Sequence, residues 1–148
     1  MIRTATRSDL SALTELLTEF LSEGSYTEHL EDLDPDHLRS LVYVILQQGY
    51  IWLLCHDHVI VGCLIAVKEP NIWIPSKVSL RELVWYVKEP YRRTPGAGRL
   101  FVKFCQLGDQ LKASGEIAGY FTSQMASTDY LDLESRGFRL TERLYLKD

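Results

Sequence analysis

SLRELVWYVKEPYRRTPGAGRLFVKFCQLGDQL, residues 79–111, is the stretch of sequence that decides the fold. Residues 80–87 are apolar and rich in β-branched and aromatic side chains, which predicts a largely buried strand that ends before Pro90. From Arg99 onward the apolar residues recur at helical spacing. They are Leu100, Phe101, Phe104, Leu107 and Leu111. The stretch therefore predicts a strand, a short turn and an amphipathic helix.

The turn, residues 93–98, has the composition of a phosphate-binding site. Gly96 and Gly98 let the backbone turn tightly and bring several N–H groups close to a ligand. These groups open a helix, where unpaired donors and the macrodipole favour an anion. Arg92 and Arg93 add positive charge that can pair with phosphate. We therefore expect an anion to bind at this turn.

The same residues resemble the acetyl-CoA pyrophosphate motif of the GNAT N-acetyltransferase superfamily. The motif is Arg93-x-x-Gly96-x-Gly98. The dinucleotide-binding pattern G-x-G-x-x-G is excluded, because Phe101 occupies its third glycine position. The opening I-R-x-A-T-x-x-D-L at residues 2–10 and the closing Gly137-Phe138 extend the resemblance over nearly the whole chain. Within the superfamily, the chain resembles the compact bacterial or phage-type members.

This resemblance implies the fold and the activity. The fold would be a single α/β (α+β) domain over residues 1–148, with a mixed, mostly antiparallel central sheet flanked by about four helices. The activity would be acetyl-CoA-dependent N-acetyl transfer to a primary amine, by direct attack in a ternary complex. The acceptor stays open among polyamine, aminoglycoside, amino acid and protein lysine, and a homodimer is also left open. A non-catalytic acyl-CoA-binding or regulatory module with the same fold is the alternative.

Cofactor contacts follow from the resemblance as well. The strand would splay after Val87, and backbone groups near Tyr86 and Val87 would bind pantetheine and polarise the thioester carbonyl. The diphosphate would rest on residues 93–98, with Arg92 as a second contact. The expected cofactor-binding residues are therefore Tyr86, Val87, Arg92, Arg93, Thr94, Gly96, Ala97, Gly98 and Arg99.

Glu82 is the candidate general base, because it is the only acidic residue inside the apolar strand and matches the base position in the histone-acetylating branch of the family. Its distance from Tyr86 along the strand would require a water relay. The alternative is a structural carboxylate paired with Arg81 or with a neighbouring strand.

The usual general acid is missing, since Leu133 stands where many relatives carry a tyrosine that protonates the leaving thiolate. Tyr130 is the predicted replacement, with Tyr86 and Tyr120 as rivals.

Two regions are candidates for the acceptor side. Residues 20–36 carry six acidic side chains and no lysine or arginine. They form either a solvated surface or a segment that attracts a cationic amine, with Glu28 and Glu31 in its middle. Trp73 lies in the predicted loop at residues 69–77, where it either packs against a hairpin or forms part of an acceptor wall.

Composition limits the remaining possibilities. The net charge is −4, which argues against nucleic acid as a main partner. No run of 18 apolar residues and no signal peptide is present, and the three cysteines are scattered in apolar contexts. We therefore expect a cytoplasmic protein with reduced thiols that is not bound to a membrane. The sequence His56-Asp57-His58 supplies too few ligands for a metal site, so no metal is expected.

The other predicted elements complete the domain. A first helix is capped by Thr6 or Ser8, and a second is capped by Asp34. The remaining elements are strands at residues 2–5, 50–56, 59–68 and 117–122, a short helix at 127–136, and a final pair of strands at 137–138 and 144–146.

Overall fold

The computed structural model describes residues 1–24, 27–124 and 131–147. Within these residues one mixed sheet has the strand order β1-β2-β3-β4-β5. The strands are β1 Ile2–Thr4, β2 Tyr50–His56, β3 Val59–Pro70, β4 Val78–Val87 and β5 Gly119–Phe121. Neighbouring strands are antiparallel, except that β4 and β5 are parallel. The expected mixed, mostly antiparallel sheet is thus confirmed.

Three α-helices of the described ranges cover the two faces of this sheet. They are α1 Leu10–Glu23, α2 Pro35–Gln48 and α3 Pro95–Ala113. Successive side chains of a strand point to opposite faces. Accordingly, Leu53 packs with α1 and α2, whereas Leu54 packs with α3. The long strands are buried on both faces, which explains their nearly continuous apolar sequence. None of these helices is both long and apolar enough to cross a membrane.

The predicted helix boundaries are largely confirmed. Asp34 accepts hydrogen bonds from the N–H groups of Asp36 and His37, at 2.9 and 3.3 Å, and so caps α2. Thr6 precedes a 3-10 turn, Arg7–Asp9, that leads into α1. Gly115, with φ of 79°, follows the last turn of α3 in the left-handed conformation.

The parallel pair β4–β5 is very short. Ser79, Leu80 and Arg81 pair with Gly119, Tyr120 and Phe121, and the pairing then stops. Among the described residues, β4 has no strand partner on this side from Glu82 to Val87. The splay therefore starts six residues earlier along β4 than expected from the resemblance, and within the described residues it opens a gap beside the second half of the strand.

The final pair of strands expected at 137–138 and 144–146 is wrong. The described residues 131–147 contain a 3-10 turn, Glu134–Arg136, and no strand. Leu144 and Leu146, from the second expected strand, are instead 95% and 88% exposed. Phe138 instead packs as a single side chain on the α3 side of the sheet.

The helix expected at 127–136 lies in large part outside the described residues, and its described end is this 3-10 turn. The described ranges therefore contain three of the roughly four expected helices.

Gly62 lets β3 and β4 come close beside Val87, in the half of β4 whose other edge faces the gap. A Cβ at this position would lie 2.9 Å from both the Tyr86 carbonyl oxygen and Val87 Cγ2. We expect Gly62→Ala to lower the free energy of unfolding by about 1–3 kcal/mol, because one contact is with rigid backbone. Urea unfolding at 25 °C measures this loss. Gly119→Ala is the matched control, since a Cβ there has no atom within 4 Å, and it should not destabilise. Equal stabilities of the two variants would contradict the prediction.

Candidate active site

Helix α3 begins at Pro95 with Thr94 as its N-cap, rather than at Arg99 as the periodicity suggested. Gly96 and Gly98 therefore lie inside its first turn, and neither has a positive φ. Their role is to leave space. A Cβ at Gly96 would lie 2.6 Å from Leu54 Cδ1, so Gly96 lets α3 pack on β2. A Cβ at Gly98 would meet nothing within 4 Å, so this position faces open space.

The turn between β4 and α3 offers two backbone donors to an anion. The N–H groups of Tyr91, Arg92, Thr94 and Ala97 donate to backbone carbonyls. Within the described stretch 91–97, the remaining N–H groups belong to Arg93 and Gly96, since Pro95 has none. They stand at the positive end of the helix macrodipole, beside the exposed Arg93 side chain. The predicted phosphate-binding site at the start of α3, or cradle, therefore has fewer free backbone donors than its six-residue motif suggested.

Trp85 fixes this cradle to the sheet, a role that sequence reasoning missed. Its indole Nε1 donates to the Ala97 carbonyl at 3.2 Å, and its ring stacks on Phe101 with centroids 5.0 Å apart. The first turn of α3 is thereby tied to β4. The sequence did hold a signal for this contact, a tryptophan inside an apolar strand. A buried indole N–H usually has a hydrogen-bond partner, so such a partner could have been expected.

The backbone of Val87 points into the gap. Lys88 N–H donates to the Val61 carbonyl at 2.9 Å, which directs the N–H and the carbonyl of the preceding residue away from β3. The Val87 carbonyl accepts a hydrogen bond from Arg92 Nε at 2.7 Å. The Val87 N–H is thus the donor at this level that can reach a ligand in the gap.

Arg92, expected to contact the diphosphate, is bound to Glu23 at the end of α1. Its Nη2 donates to Glu23 Oε2. Tyr86 donates its hydroxyl proton to the other oxygen, Oε1, at 2.7 Å. The guanidinium also lies over the Tyr86 ring, 5.6 Å from its centroid. This cluster was missed because 63 or more residues separate Glu23 from its partners.

The ionisation states in this cluster follow from its contacts. The hydrogen bond from Tyr86, together with Arg92, lowers the pKa of Glu23. Burial and the adjacent carboxylate raise the pKa of Tyr86. The carboxylate is therefore ionised and the phenol protonated at neutral pH.

Glu82 lies where β4 and β5 separate, with only 7% of its surface exposed. Its Oε2 accepts hydrogen bonds from Thr122 Oγ1 at 2.9 Å and from the Ser123 N–H at 3.3 Å. Arg81 pairs with Glu69 instead, at 2.5 Å, so the expected alternative of an Arg81–Glu82 pair is wrong. Burial raises the pKa of Glu82 despite these hydrogen bonds.

The two oxygens of Glu82 differ in their contacts with the described residues. Both described bonds of the carboxylate go to Oε2. In a relay to a general base, a proton carried through water would therefore have to reach Oε1.

The tyrosines considered as general acids are in different situations. Tyr130 lies outside the described residues. Tyr120 donates its hydroxyl proton to Asp109 at 2.7 Å, as Tyr86 does to Glu23, and burial raises the pKa of Tyr120. Leu133 is half-buried against the α3 side of the sheet. The two described tyrosines are thus committed to carboxylates.

The acceptor candidates lie in two separate loops, and Trp73 is far from the cradle. Trp73 is 86% exposed, at the tip of a loop held by Asn71 Oδ1, so its packing against a hairpin is wrong. This loop precedes β4, whose ten residues place it about 30 Å from Val87 along the strand. Glu28 and Glu31 are exposed in the 3-10 turn that follows α1.

The cysteines are poorly suited to carry an acetyl group. Cys63 is fully buried, and burial raises its pKa to about 12. Burial also raises the pKa of Cys105. A thiolate nucleophile is therefore disfavoured at both positions. In the described part of the chain no cluster of three or more His, Cys, Asp or Glu side chains could hold a metal ion.

Two shallow clefts adjoin the cradle. Their volumes are about 240 and 210 Å³, and Gly96 and Arg99 line both. Leu54 also lines both, which places them on the β2 side of α3, away from the gap between β4 and β5.

Comparison with known proteins gives structural relatives only. No family model matches the sequence, and no curated protein matches it. The whole chain is similar to 96% of a possible acetyltransferase from Clostridium difficile 630, with a TM-score of 0.73 and 19% identity. It is similar to 98% of an acetyltransferase from Trypanosoma brucei, with a TM-score of 0.70 and 20% identity.

A third relative was solved with CoA. It is the aminoglycoside N-acetyltransferase AAC(6')-Iy, which the chain matches over 100% of its own length and 98% of that protein's, with a TM-score of 0.66 and 14% identity. At these identities the similarity establishes the fold. The chain therefore has the fold of the GNAT acetyltransferases, as its sequence predicted.

The raised pKa of Glu82 should appear in the pH dependence of stability. The fold favours the protonated carboxyl of Glu82. The contribution of this group to the free energy of unfolding is therefore complete below the unfolded pKa, near 4.5, and is lost as the pH rises through the folded pKa. We expect Glu82→Gln, which cannot ionise, to gain stability relative to the wild type as the pH rises from about 4.5 through the folded pKa of Glu82. Urea unfolding at a series of pH values measures the difference. Glu142→Gln, at an exposed position, controls for the loss of one charge. A pH-independent difference would show that burial does not perturb Glu82.

Proposed function

We propose that this protein is an acetyl-CoA-dependent N-acetyltransferase that acts on a primary amine. The observation that carries the proposal is the combination of two features at one end of β4. An anion cradle opens α3, and on the way to it β4 and β5 stop pairing after Arg81, which leaves a gap between the two strands in the described residues. The fold shared with acetyltransferases, one of them solved with CoA, supports it.

In this proposal the diphosphate of acetyl-CoA binds the N–H groups of Arg93 and Gly96. The Arg93 guanidinium adds a charged contact, and Gly98 leaves room for the phosphate oxygens. Pantetheine then enters the gap between β4 and β5. The thioester carbonyl oxygen accepts a hydrogen bond from the Val87 N–H, which stabilises negative charge as it develops there.

The reaction begins when the neutral amine attacks the thioester carbon. The new C–N bond places negative charge on the carbonyl oxygen, and the C–S bond then breaks to release the CoA thiolate. The proton lost by the amine passes through a water molecule to Glu82 Oε1. The thiolate takes up a proton from Tyr130 or from solvent. No covalent enzyme intermediate is formed, in agreement with the buried Cys55 and Cys63 and the half-buried Cys105.

The proposed acceptor is a cationic amine. Glu19 and Glu23 are paired with Lys88 and Arg92, so they do not add to the field that an acceptor meets. Glu28 and Glu31 are exposed in the 3-10 turn Thr27–Asp32, and in this proposal they supply the negative field that attracts the acceptor. Two of the solved relatives are named as aminoglycoside acetyltransferases, and aminoglycosides carry several amino groups.

A non-catalytic acyl-CoA-binding module is the second candidate. It is favoured by Leu133, which replaces the usual tyrosine and packs in the core, and by the engagement of Tyr86 and Tyr120 with carboxylates. Release of CoA thiol from acetyl-CoA in the presence of a panel of amines distinguishes an enzyme from such a module.

The cradle is tested by Gly98→Asp. A carboxylate at this position would repel the diphosphate but leave the fold intact, because the site is open and the helix N-terminus favours an acidic residue. At a hundredfold excess over Kd, acetyl-CoA should stabilise the wild type by about 2.7 kcal/mol and the variant much less. Thermal unfolding with acetyl-CoA, CoA, ATP and NAD measures this. Gln110→Asp, near the other end of α3, controls for net charge. An undiminished shift in Gly98→Asp would remove the diphosphate assignment, and a shift with ATP or NAD alone would indicate a different ligand.

The base is tested by Glu82→Gln. If Glu82 accepts the proton, kcat should fall by about 10²- to 10⁴-fold while the Kd of acetyl-CoA changes little, because Glu82 lies five residues before the level of Val87. The loss should shrink at high pH, where more of the amine is already neutral. Steady-state kinetics between pH of about 7 and about 10 measure the profile. Thr122→Val serves as a comparison, since it removes one hydrogen bond to the carboxylate but not the carboxylate. Activity of Glu82→Gln within about twofold of wild type, with chemistry rate-limiting, would exclude the role.

A further inference from the structure

Two ion pairs fasten the last turns of α1 to the end of β4. The first joins Glu19 Oε1 to Lys88 Nζ at 3.0 Å. The second joins Glu23 to Arg92 and, unlike the first, extends into a network. The two carboxylates are one helical turn apart on α1, so they allow a direct comparison.

The Glu23 network reaches the backbone of β4. Tyr86 donates to one oxygen of Glu23 and Arg92 to the other. The Nε of the same guanidinium donates to the Val87 carbonyl at 2.7 Å. Because a guanidinium is planar and its donors are fixed in direction, Arg92 can bind the carboxylate only in a limited range of orientations relative to that carbonyl.

The peptide unit between Val87 and Lys88 is consequently held from both sides. Its carbonyl accepts from Arg92, and its N–H donates to the Val61 carbonyl at 2.9 Å. The adjacent N–H of Val87 faces the gap. The Val87 N–H belongs to the preceding peptide unit but shares the Val87 Cα with the held carbonyl. A shift of the held peptide that releases Arg92 would therefore also displace the donor that meets the thioester in the proposed reaction.

Arg92 is therefore poorly placed to serve the diphosphate. To reach the cradle it would have to leave both Glu23 and the Val87 carbonyl, and Glu23 would then lose its positive partner. Arg93 is exposed, and its backbone N–H already belongs to the cradle. The neighbouring arginines thus divide two tasks between them.

We propose that Glu23 is a positioning residue for acetyl transfer: it holds Arg92 as a clamp on the Val87 carbonyl and so fixes the backbone donor that meets the thioester. Arg92 is accordingly not a diphosphate ligand. The catalytic part of this inference rests on the proposed N-acetyltransferase function.

The kinetic test compares Glu23→Gln and Arg92→Lys with Glu19→Gln and Arg93→Gln. Glutamine keeps the shape of Glu23 but loses the charge that holds Arg92, and lysine cannot bind carboxylate and carbonyl as a fork. We expect both variants to lower kcat by about 10- to 100-fold, as a misplaced reacting group does, with the Kd of CoA within about threefold of wild type. Glu19→Gln should leave kcat within about twofold, because its ion pair with Lys88 is as exposed as the Glu23–Arg92 pair but does not extend to the Val87 carbonyl.

Arg93→Gln should show the opposite pattern. It should raise the Kd of CoA by about tenfold or more and weaken its salt dependence, because a charged phosphate contact is lost. Isothermal titration calorimetry at two salt concentrations measures both effects. A rise in Kd for Arg92→Lys as large as that for Arg93→Gln would overturn the division of tasks.

A second measurement requires no activity. The Lys88 amide reports on the clamped peptide, so its hydrogen exchange should be about tenfold faster in Glu23→Gln than in wild type and unchanged in Glu19→Gln. Equal exchange and equal kcat in the two variants would overturn the proposal. If the wild-type protein binds no CoA, the proposed function fails, and the exchange comparison still decides whether Glu23 fixes the peptide.

Discussion

Most of the candidate site depends on one constraint, the early end of the pairing between β4 and β5. Three residue pairs hold the two strands together, and the second half of β4 then has β3 on one side and a gap on the other. A strand that is half paired in this way keeps a rigid backbone while exposing N–H and carbonyl groups to a ligand. Glu82 lies at the point of divergence, and the cradle begins just beyond the open end.

The surrounding contacts keep this gap in shape from both layers of the domain. On the α3 side, Trp85 binds the first turn of the helix through its indole N–H. On the α1 side, Glu23 binds Tyr86 and Arg92. At the point of divergence, Thr122 and Ser123 bind Glu82. The polar groups that could react are thus oriented by residues from elements far apart in the sequence.

The sequence predicted the features that depend on local pattern. Strand β4, helix α3 and the cradle motif follow from residue spacing, and Asp34 and Gly115 mark helix ends for local reasons. Features that need a distant partner could not be read in the same way. The charge run around Glu23 gave no sign that Arg92 would neutralise it, since 69 residues separate the two.

In the described C-terminal part, residues 131–147, the sequence predicted a local element that the structure does not contain. There a local strand pattern was present, but Leu144 and Leu146 have no partner surface in the described residues. A short apolar run does not form a strand unless a neighbouring strand is available to pair with it.

The indole of Trp85 has a consequence for observing this protein in solution. It is half-buried and bonded to the first turn of α3, whereas Trp73 is almost fully in water. The two rings therefore differ in polarity and in collisional access, so that iodide quenches Trp73 emission and largely spares Trp85. With the exposed ring quenched, the remaining fluorescence comes from Trp85 and from the half-buried Trp52. In a Trp52→Phe background, it becomes an intrinsic optical reporter of the geometry at the start of α3.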